Sequence, residues 1–204
     1  MICSLRLSGF VRRSALIVAL ALMVSGCGVN TIPTQEEAAK AKWSEVLNQY
    51  QRRADLIPNL VETVKGYAAQ ERQVLEAVIN ARAKATQTTL QVPPDILTNP
   101  EAFKKFQEAQ SQLTGALGRL IAVSENYPDL KSNQNYLALQ SQLEGTENRI
   151  AVARRDYIEA VRAYNTELRT FPGIIWANTF FRGNKPMAEF TASDTAQSPP
   201  QVKF

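Results

Sequence analysis

Apolar residues recur along most of this 204-residue chain in steps of three, four and seven, the spacing of one face of an α-helix. The first such series is Trp43, Val46, Tyr50, Ile57, Leu60, Val64, Tyr67, Val74, Val78 and Ala81. Pro58 falls within it and removes one backbone hydrogen bond, so we expect a kink there rather than an end. Thr34 and Glu37 fit a capping box, which predicts one helix from Thr34 to about Thr86.

Two more stretches share this periodicity. Asn99 as cap and Pro100 at the first helical position predict the start of a second helix. Ser132 is predicted to cap a third helix that runs to about Thr170, and no stretch alternates like a strand. The sequence therefore predicts an all-α fold: an elongated antiparallel bundle of three long helices, followed by a short C-terminal helix at about residues 174–181.

The predicted helices differ greatly in length. At 1.5 Å per residue the first would be about 80 Å long and the second about 36 Å. The second helix is too short to cover the whole apolar face of the first, so we expect Trp43, Val46 and Tyr50 to be underpacked. Residues 174–181, a second copy of the chain or a partner would then cover them, because large exposed apolar patches usually mark an interface.

The N-terminus has the composition of a bacterial secretory signal. Three arginines lie among the first 13 residues, and residues 15–24 form an apolar run too short to span a bilayer. The sequence VSGC at residues 24–27 resembles the lipobox of bacterial lipoproteins, which predicts cleavage between Gly26 and Cys27 and acylation, such as palmitate, on Cys27. A transmembrane anchor extended through Ser25 and Gly28 is the alternative.

These features divide the chain into a lipoprotein signal peptide at residues 1–26, a tether at 27–33, a helical bundle at 34–182 and a flexible tail at 183–204. Removing the three arginines of the signal from 23 basic residues leaves 20, against 19 acidic residues. The near-neutral body lacks the concentrated basic face that nucleic-acid binding requires, so no nucleic-acid partner is expected.

The residue inventory argues against an enzyme. There is no histidine, and the two cysteines leave with the signal or carry lipid, so neither metal sites of imidazole or thiolate nor His-based nucleophilic sites can form. No Gly-rich phosphate loop occurs, and no cofactor is expected. Glu144 and Glu147, one turn apart, leave a carboxylate-based hydrolase as the alternative, provided that two acids converge in a pocket.

Polar residues at three places on the predicted bundle are candidates for an interhelical network that fixes register, or for a partner-binding surface. They are Arg52, Arg53, Asp55, Pro58 and Asn59 on the first helix, Tyr127, Pro128 and Asp129 in the second connection, and Glu147, Asn148, Arg149, Arg154, Arg155 and Asp156 on the third helix.

The same places carry a family resemblance. The stretch QYQRRADLIPNLVETVKGY at residues 49–67, YPDLK at 127–131 and TENRIAVARRDY at 146–157 resemble the signatures of the LemA family, as do Tyr164-Asn165 and Phe171-Pro172. The resemblance implies a helical, membrane-anchored envelope protein without established enzymatic activity. Many members carry an N-terminal transmembrane helix, from which the lipobox departs. Relatives are often encoded beside membrane metallopeptidases, which implies an accessory role.

The predicted function is that of a non-enzymatic, lipid-anchored cell-envelope protein, a helical scaffold or accessory for another envelope component. The partner would be a membrane peptidase or its accessory, another envelope protein, or a second copy of the chain. The alternative is a membrane-active protein whose segment 174–181, with Trp176, Phe180 and Phe181, engages the bilayer. The body is expected on the periplasmic side, and Gly28 after Cys27 favours the outer over the inner membrane.

Overall fold

The structure, a computed structural model, describes residues 28–191, and within that range the fold is all-helical, as predicted. The helices are α1 (Thr31–Tyr67), α2 (Arg72–Leu90), α3 (Pro100–Ser124), α4 (Pro128–Lys131), α5 (Gln134–Glu167) and α6 (Gly173–Thr179), with a 3-10 turn at Ile96–Thr98. The predicted signal, Gly26 and Cys27 lie outside the described residues.

The four long helices form an antiparallel bundle. We name the end where α1 begins and α5 finishes the proximal end, and the opposite end, at residues 68–71, the distal end. α1 packs along α5, and α2 packs along α3. The ion pair of Lys42 with Asp156, at 3.3 Å, and the hydrogen bond of Lys84 Nζ to Gln112, at 3.0 Å, fix these two antiparallel pairings.

The prediction of one helix from Thr34 to Thr86 was wrong. α1 ends at Tyr67, and α2 returns beside it, so the bundle has four long helices rather than three. The turn begins with Ala68, whose N–H donates to the Val64 carbonyl, and Glu71 accepts the first amide bonds of α2. Glu71 is a charged residue within the apolar series of the sequence, as is Arg53, where α1 continues.

α1 continues through Pro58, as expected, and the reason lies in α2. Proline has no N–H, which leaves the Ala54 carbonyl without its usual helical donor. The guanidinium of Arg82 fills the gap, because its Nε donates to the Ala54 oxygen at 2.8 Å. The carbonyl that proline leaves without a helical donor therefore accepts a hydrogen bond that joins α1 to α2.

Helix starts were predicted with mixed success. Asn99 caps α3 as predicted, since its side chain accepts from the Ala102 N–H at 3.1 Å. For α5 the cap is Asn133 rather than Ser132, one residue later than predicted. The capping box at Thr34 was wrong: α1 begins at Thr31, inside the predicted tether, and the Thr34 hydroxyl donates to the Asn30 carbonyl instead. Buried Ile32 explains the earlier start, because it anchors the first turn.

The core divides into two clusters along the bundle axis. The proximal cluster is rich in aromatic side chains: Trp43, Tyr50, Phe103, Phe106, Tyr157, Tyr164 and Phe190. The distal cluster is mainly aliphatic: Ile57, Leu60, Val61, Val64, Leu75, Val78, Leu113, Leu117, Leu120, Leu130 and Leu143, together with Tyr136. A polar layer around Arg53 lies between them.

The beginning of the predicted flexible tail is packed against the proximal half. In residues 184–191, which we name the docked segment, the side chains of Met187 and Phe190 are buried. The Asn165 side chain accepts from the Met187 N–H at 2.8 Å and donates to its carbonyl at 2.9 Å. Tyr157 donates to the Ala188 carbonyl at 2.8 Å. Two apolar residues and side-chain partners for the backbone thus order a polar-looking segment, while residues 192–204 lie outside the described range.

The expectation of an underpacked proximal half was also wrong. Trp43 is only 6 % exposed, and its ring lies 5.5 Å from Phe103, 5.4 Å from Tyr157 and 6.1 Å from Phe190, measured between centroids. The docked segment and the connection between α2 and α3 cover it, rather than residues 174–181 alone, a second copy or a partner.

Candidate functional site

Arg53 forms the centre of the polar layer and is 1 % exposed. Its Nη1 donates to Glu147 and to Thr114, both at 2.9 Å, and its Nη2 donates to the Gln110 side-chain oxygen at 2.6 Å. The guanidinium also lies 5.0 Å from the centroid of the Tyr50 ring. A buried charge is tolerated only when it is paired and hydrogen-bonded, and these contacts supply both conditions.

This layer joins three helices, and it includes a contact between Arg53 and Glu147, two of the candidates for an interhelical network. The partners on α3 were missed, although Gln110 lies in the apolar series of its helix, where a polar residue was the available signal. The Gln110 amide extends the network to α2 by donating to the Thr89 hydroxyl at 3.1 Å. The buried Arg53 guanidinium disfavours any change in the register of one helix against another, because the charge would lose its hydrogen-bond partners.

An open groove with a volume of about 950 Å³ lies beside this layer, between α3 and α5. Its floor includes Tyr50, Phe103 and Ile150, and Arg53 is reached from it. Its polar walls contain Lys104, Gln107, Glu108, Gln110, Ser111, Gln112, Thr114, Glu147, Arg154 and Glu189. Charges of both signs line the groove, so it is neither a basic nor an acidic patch.

The docked segment forms one end of the groove. Gln107 on α3 donates to the Thr191 carbonyl at 2.7 Å, and Arg154 on α5 lies over the Phe190 ring, 4.4 Å from its centroid. The groove therefore begins where the protein already holds a stretch of its own chain without regular secondary structure by hydrogen bonds from side chains to backbone.

The predicted polar residues are not brought together into a single surface. Arg53, Glu147 and Arg154 line the groove, whereas Asn148, Arg149 and Asp156 line a shallower depression of about 330 Å³ beside α1. Exposed residues outside both are Arg52, Asp55, Pro58, Asn59, Pro128, Asp129 and Arg155. A role of these residues in partner binding stays a prediction.

Tyr127 has a structural partner at the distal end. Its hydroxyl donates to Glu71 at 2.8 Å and accepts from Gln70 at 3.1 Å. The bond to Glu71 raises the pKa of Tyr127 above its usual value, because it favours the protonated hydroxyl. This signature residue therefore joins the connection before α4 to the turn between α1 and α2.

Three carboxylates line the groove, those of Glu108, Glu147 and Glu189. Glu147 is held at 2.9 Å by the buried guanidinium, and Glu144 is not part of the groove lining. Across residues 28–191 no cluster of three or more acidic or thiol ligands could hold a metal ion. The groove lining can bind groups through hydrogen bonds and charge.

Burial, rather than a catalytic partner, accounts for the perturbed tyrosines of the proximal half. Desolvation raises the pKa of Tyr50, and the positive charges of Arg154 and Arg53 partly offset that increase. It also raises the pKa values of Tyr157 and Tyr164, with a further contribution from a nearby glutamate in each case. These phenols stay protonated at neutral pH, all three are core residues, and the hydroxyls of Tyr157 and Tyr164 donate to backbone carbonyls.

Comparison with known proteins identifies one family. The family described as LemA matches residues 42–204. Magnetosome protein MamQ 2 of Paramagnetospirillum magneticum is 30% identical over 188 residues, covering 85% of this chain and 69% of the relative. Magnetosome protein MamQ of Magnetospirillum gryphiswaldense is 28% identical with the same coverage of both chains. Protein LemA of Metamycoplasma hominis is 28% identical over 128 residues, covering 62% of this chain and 51% of the relative.

From residue 28 to residue 191, no helix combines the length and the apolar character needed to cross a bilayer.

Proposed function

The chain belongs to the LemA family, and from this membership we propose that it is a non-enzymatic cell-envelope protein that serves another envelope component as a helical scaffold. The observation that carries the proposal is the groove between α3 and α5, which is open, polar-walled and next to a rigid buried network. We propose that this groove binds an extended segment of a partner protein.

The docked segment supports this mode of binding. The protein holds the backbone of residues 184–191 with the side chains of Gln107, Tyr157 and Asn165, and it buries Met187 and Phe190 as apolar anchors. Beyond Thr191 the groove continues with exposed polar side chains on α3. Recognition of an extended peptide through its backbone, with pockets for alternate side chains, is a common mode of protein recognition.

We further propose that the body is anchored through Cys27 and faces the periplasm. The position of Gly28 supports a proximal attachment, because a side chain placed at Gly28 would lie 3.7 Å from Pro172 and 3.8 Å from Trp176. In cells, Cys27→Ser should block signal maturation or release the protein from membranes, since acyl chains provide the membrane affinity. A Cys27→Ser protein that matures and fractionates with membranes as wild type does would contradict lipid anchoring.

Binding in the groove can be tested by photo-crosslinking in cells. A photoreactive residue at Glu108 is expected to yield a discrete adduct with an envelope protein, whereas one at Ser44, an exposed position on α1, is not. Ser111→Trp fills the groove from an exposed position and should reduce the Glu108 adduct by roughly tenfold, the equivalent of about 1.4 kcal/mol.

Mass spectrometry of the adduct distinguishes the partner classes. A membrane peptidase, its accessory or another envelope protein would support the scaffold role, and an adduct of twice the chain mass would identify a second copy. Equal adducts from Glu108 and Ser44, or an adduct indifferent to Ser111→Trp, would show that the groove is not the binding site.

A further inference from the structure

Exposed apolar side chains are concentrated at the proximal end. Nine large hydrophobic residues are exposed within residues 28–191, and four of them belong to the ten-residue stretch 171–180, which we name the proximal cap. They are Phe171, 81 % exposed, Ile174, 39 %, Ile175, 46 %, and Phe180, 72 %. The other five are distributed along the remaining helices. Isolated exposed apolar residues are ordinary, whereas a group of this kind marks an interaction surface.

The proximal cap is held firmly rather than attached loosely. Trp176 and Ala177, on the inner face of α6, pack against the proximal core cluster together with Phe181. Gly173 is buried, and a side chain there would collide with the Glu167 carbonyl. The outer face of α6 is thereby fixed with Ile174 and Ile175 directed away from the bundle.

The same end is where the chain continues toward its N-terminus. Gly28 lies beside Pro172 and Trp176, and Cys27 is one residue further. Consecutive Cα atoms are about 3.8 Å apart. A membrane anchor attached at Cys27 would therefore hold the proximal cap within a few ångströms of the bilayer surface.

Three cationic residues flank the proximal cap in the sequence. Arg169 precedes the cap, Arg182 and Lys185 follow it, and all three are exposed. Within residues 28–191 none of the three takes part in an ion pair, and the Arg182 Nε donates to the Asn178 carbonyl at the end of α6. Apolar and aromatic residues beside lysine and arginine are the composition of segments that lie in the interface of anionic membranes.

We propose that the proximal cap is a membrane-seating surface: Phe171, Ile174, Ile175 and Phe180 enter the boundary between headgroups and acyl chains, and the three cations bind anionic phospholipid headgroups. The proposal rests on the proposed anchoring through the residues that precede Gly28. It adds that the bundle stands on the bilayer at a fixed orientation, so that the groove between α3 and α5 is held at a fixed distance from the membrane.

The test uses the full chain reconstituted in vesicles of phosphatidylethanolamine and phosphatidylglycerol. An environment-sensitive fluorophore is attached at Ile175→Cys, and at Ile79→Cys as the matched control, since Ile79 on α2 is 50 % exposed. Both carry Cys3→Ser, and the same chain without a new cysteine gives the background from Cys27. The Ile175 probe should emit at shorter wavelength than the Ile79 probe and lose most of its intensity when the lipids carry a nitroxide on the acyl chain.

The outcomes separate the surface from the anchor. An Ile175 probe that is shifted but insensitive to the nitroxide lipid is covered by protein, which overturns the seating surface. An incorporated chain with equal quenching at Ile175 and Ile79 also overturns it, while anchoring stands. A chain that does not incorporate into vesicles overturns both. Replacing phosphatidylglycerol by phosphatidylcholine should weaken the quenching at Ile175, and Arg182→Gln should remove part of that dependence.

Discussion

The proximal half of the bundle is packed with aromatic rings, whereas the distal half is packed with leucine, isoleucine and valine. In the distal half four helices lie side by side, and their backbones are satisfied within each helix. In the proximal half α2 has ended at Leu90, and its place is taken by the connection to α3 and by the docked segment. The aliphatic core therefore packs between regular helices, and the aromatic core packs against irregular backbone.

Irregular backbone brings unpaired N–H and C=O groups to the core surface, and these need partners. Tyrosine supplies both a large apolar ring and a hydroxyl donor, as Tyr157 does for the Ala188 carbonyl and Tyr164 does for the Lys185 carbonyl. Aliphatic residues would fill the space but leave those carbonyls unpaired. The comparison therefore predicts that the halves respond differently to mutation and to pH.

The largest effect is expected at the layer that separates the halves. Arg53→Ala removes the centre of the network, leaves Glu147 and Gln110 without their partner, and opens a cavity. We expect a loss of about 3 to 5 kcal/mol in the free energy of unfolding, measured by urea denaturation. Arg52→Ala, an exposed neighbour on the same helix, should stay within about 0.5 kcal/mol of wild type. Equal losses in the two variants would mean that the layer has no special role.

The next effect distinguishes the halves directly. Phe190→Ala should cost about 3 kcal/mol, since it removes a buried ring that contacts Trp43, Phe103 and Tyr157. Hydrogen exchange should become faster in the docked segment and the proximal turns, while the distal amides keep their protection. Phe180→Ala, at a position 72 % exposed, is the matched control with little effect in solution. Uniform loss of protection along α1 would show that the halves are a single cooperative unit.

Alkaline pH should weaken the proximal half. Because burial raises the pKa values of Tyr50, Tyr157 and Tyr164 in the folded state, the folded protein keeps protons that the unfolded chain releases above about pH 10. Stability is thus unaffected below that pH and falls as pH rises toward the folded-state values. Tyr127 at the distal surface shifts in the same direction but is screened by water.

Tyr157→Phe tests this dependence. Near neutral pH it should cost about 1 kcal/mol through the lost bond to Ala188. In urea unfolding, the deficit relative to wild type should shrink as pH rises above about 10, since one source of alkaline destabilisation is gone. A deficit that stays constant with pH would show that Tyr157 does not contribute to the alkaline loss.

The sequence was sufficient for what depends on local pattern. The apolar series predicted an all-α fold, and Asn99 and Pro100 predicted the start of α3. Each of these depends on residue type at helical spacing, which is visible in a single chain.

Features that depend on tertiary contacts were missed. The series of apolar residues continues at helical spacing across residues 68–71, so periodicity alone could not separate two helices from one. Glu71 is a charge within that series, but so is Arg53, where the helix continues, and the length mismatch with the next helix was interpreted as an underpacked face. Likewise residues 184–191 look polar, and their order depends on Asn165 and Tyr157, which lie about 20 to 30 positions earlier in the chain.

The smallest expected effect concerns the hydrogen bond from Arg82 to the Ala54 carbonyl, which joins α1 to α2. Arg82→Gln removes the bond to the Ala54 carbonyl and should cost about 1 kcal/mol. In a Pro58→Ala background the new N–H at position 58 can donate to the same carbonyl, so the Arg82→Gln cost should fall by about half. Arg72→Gln, at an exposed position of α2, should be neutral in both backgrounds. If the Arg82→Gln cost is the same with and without Pro58, the carbonyl freed by proline is not what joins α1 to α2, and the hairpin is held by its apolar contacts alone.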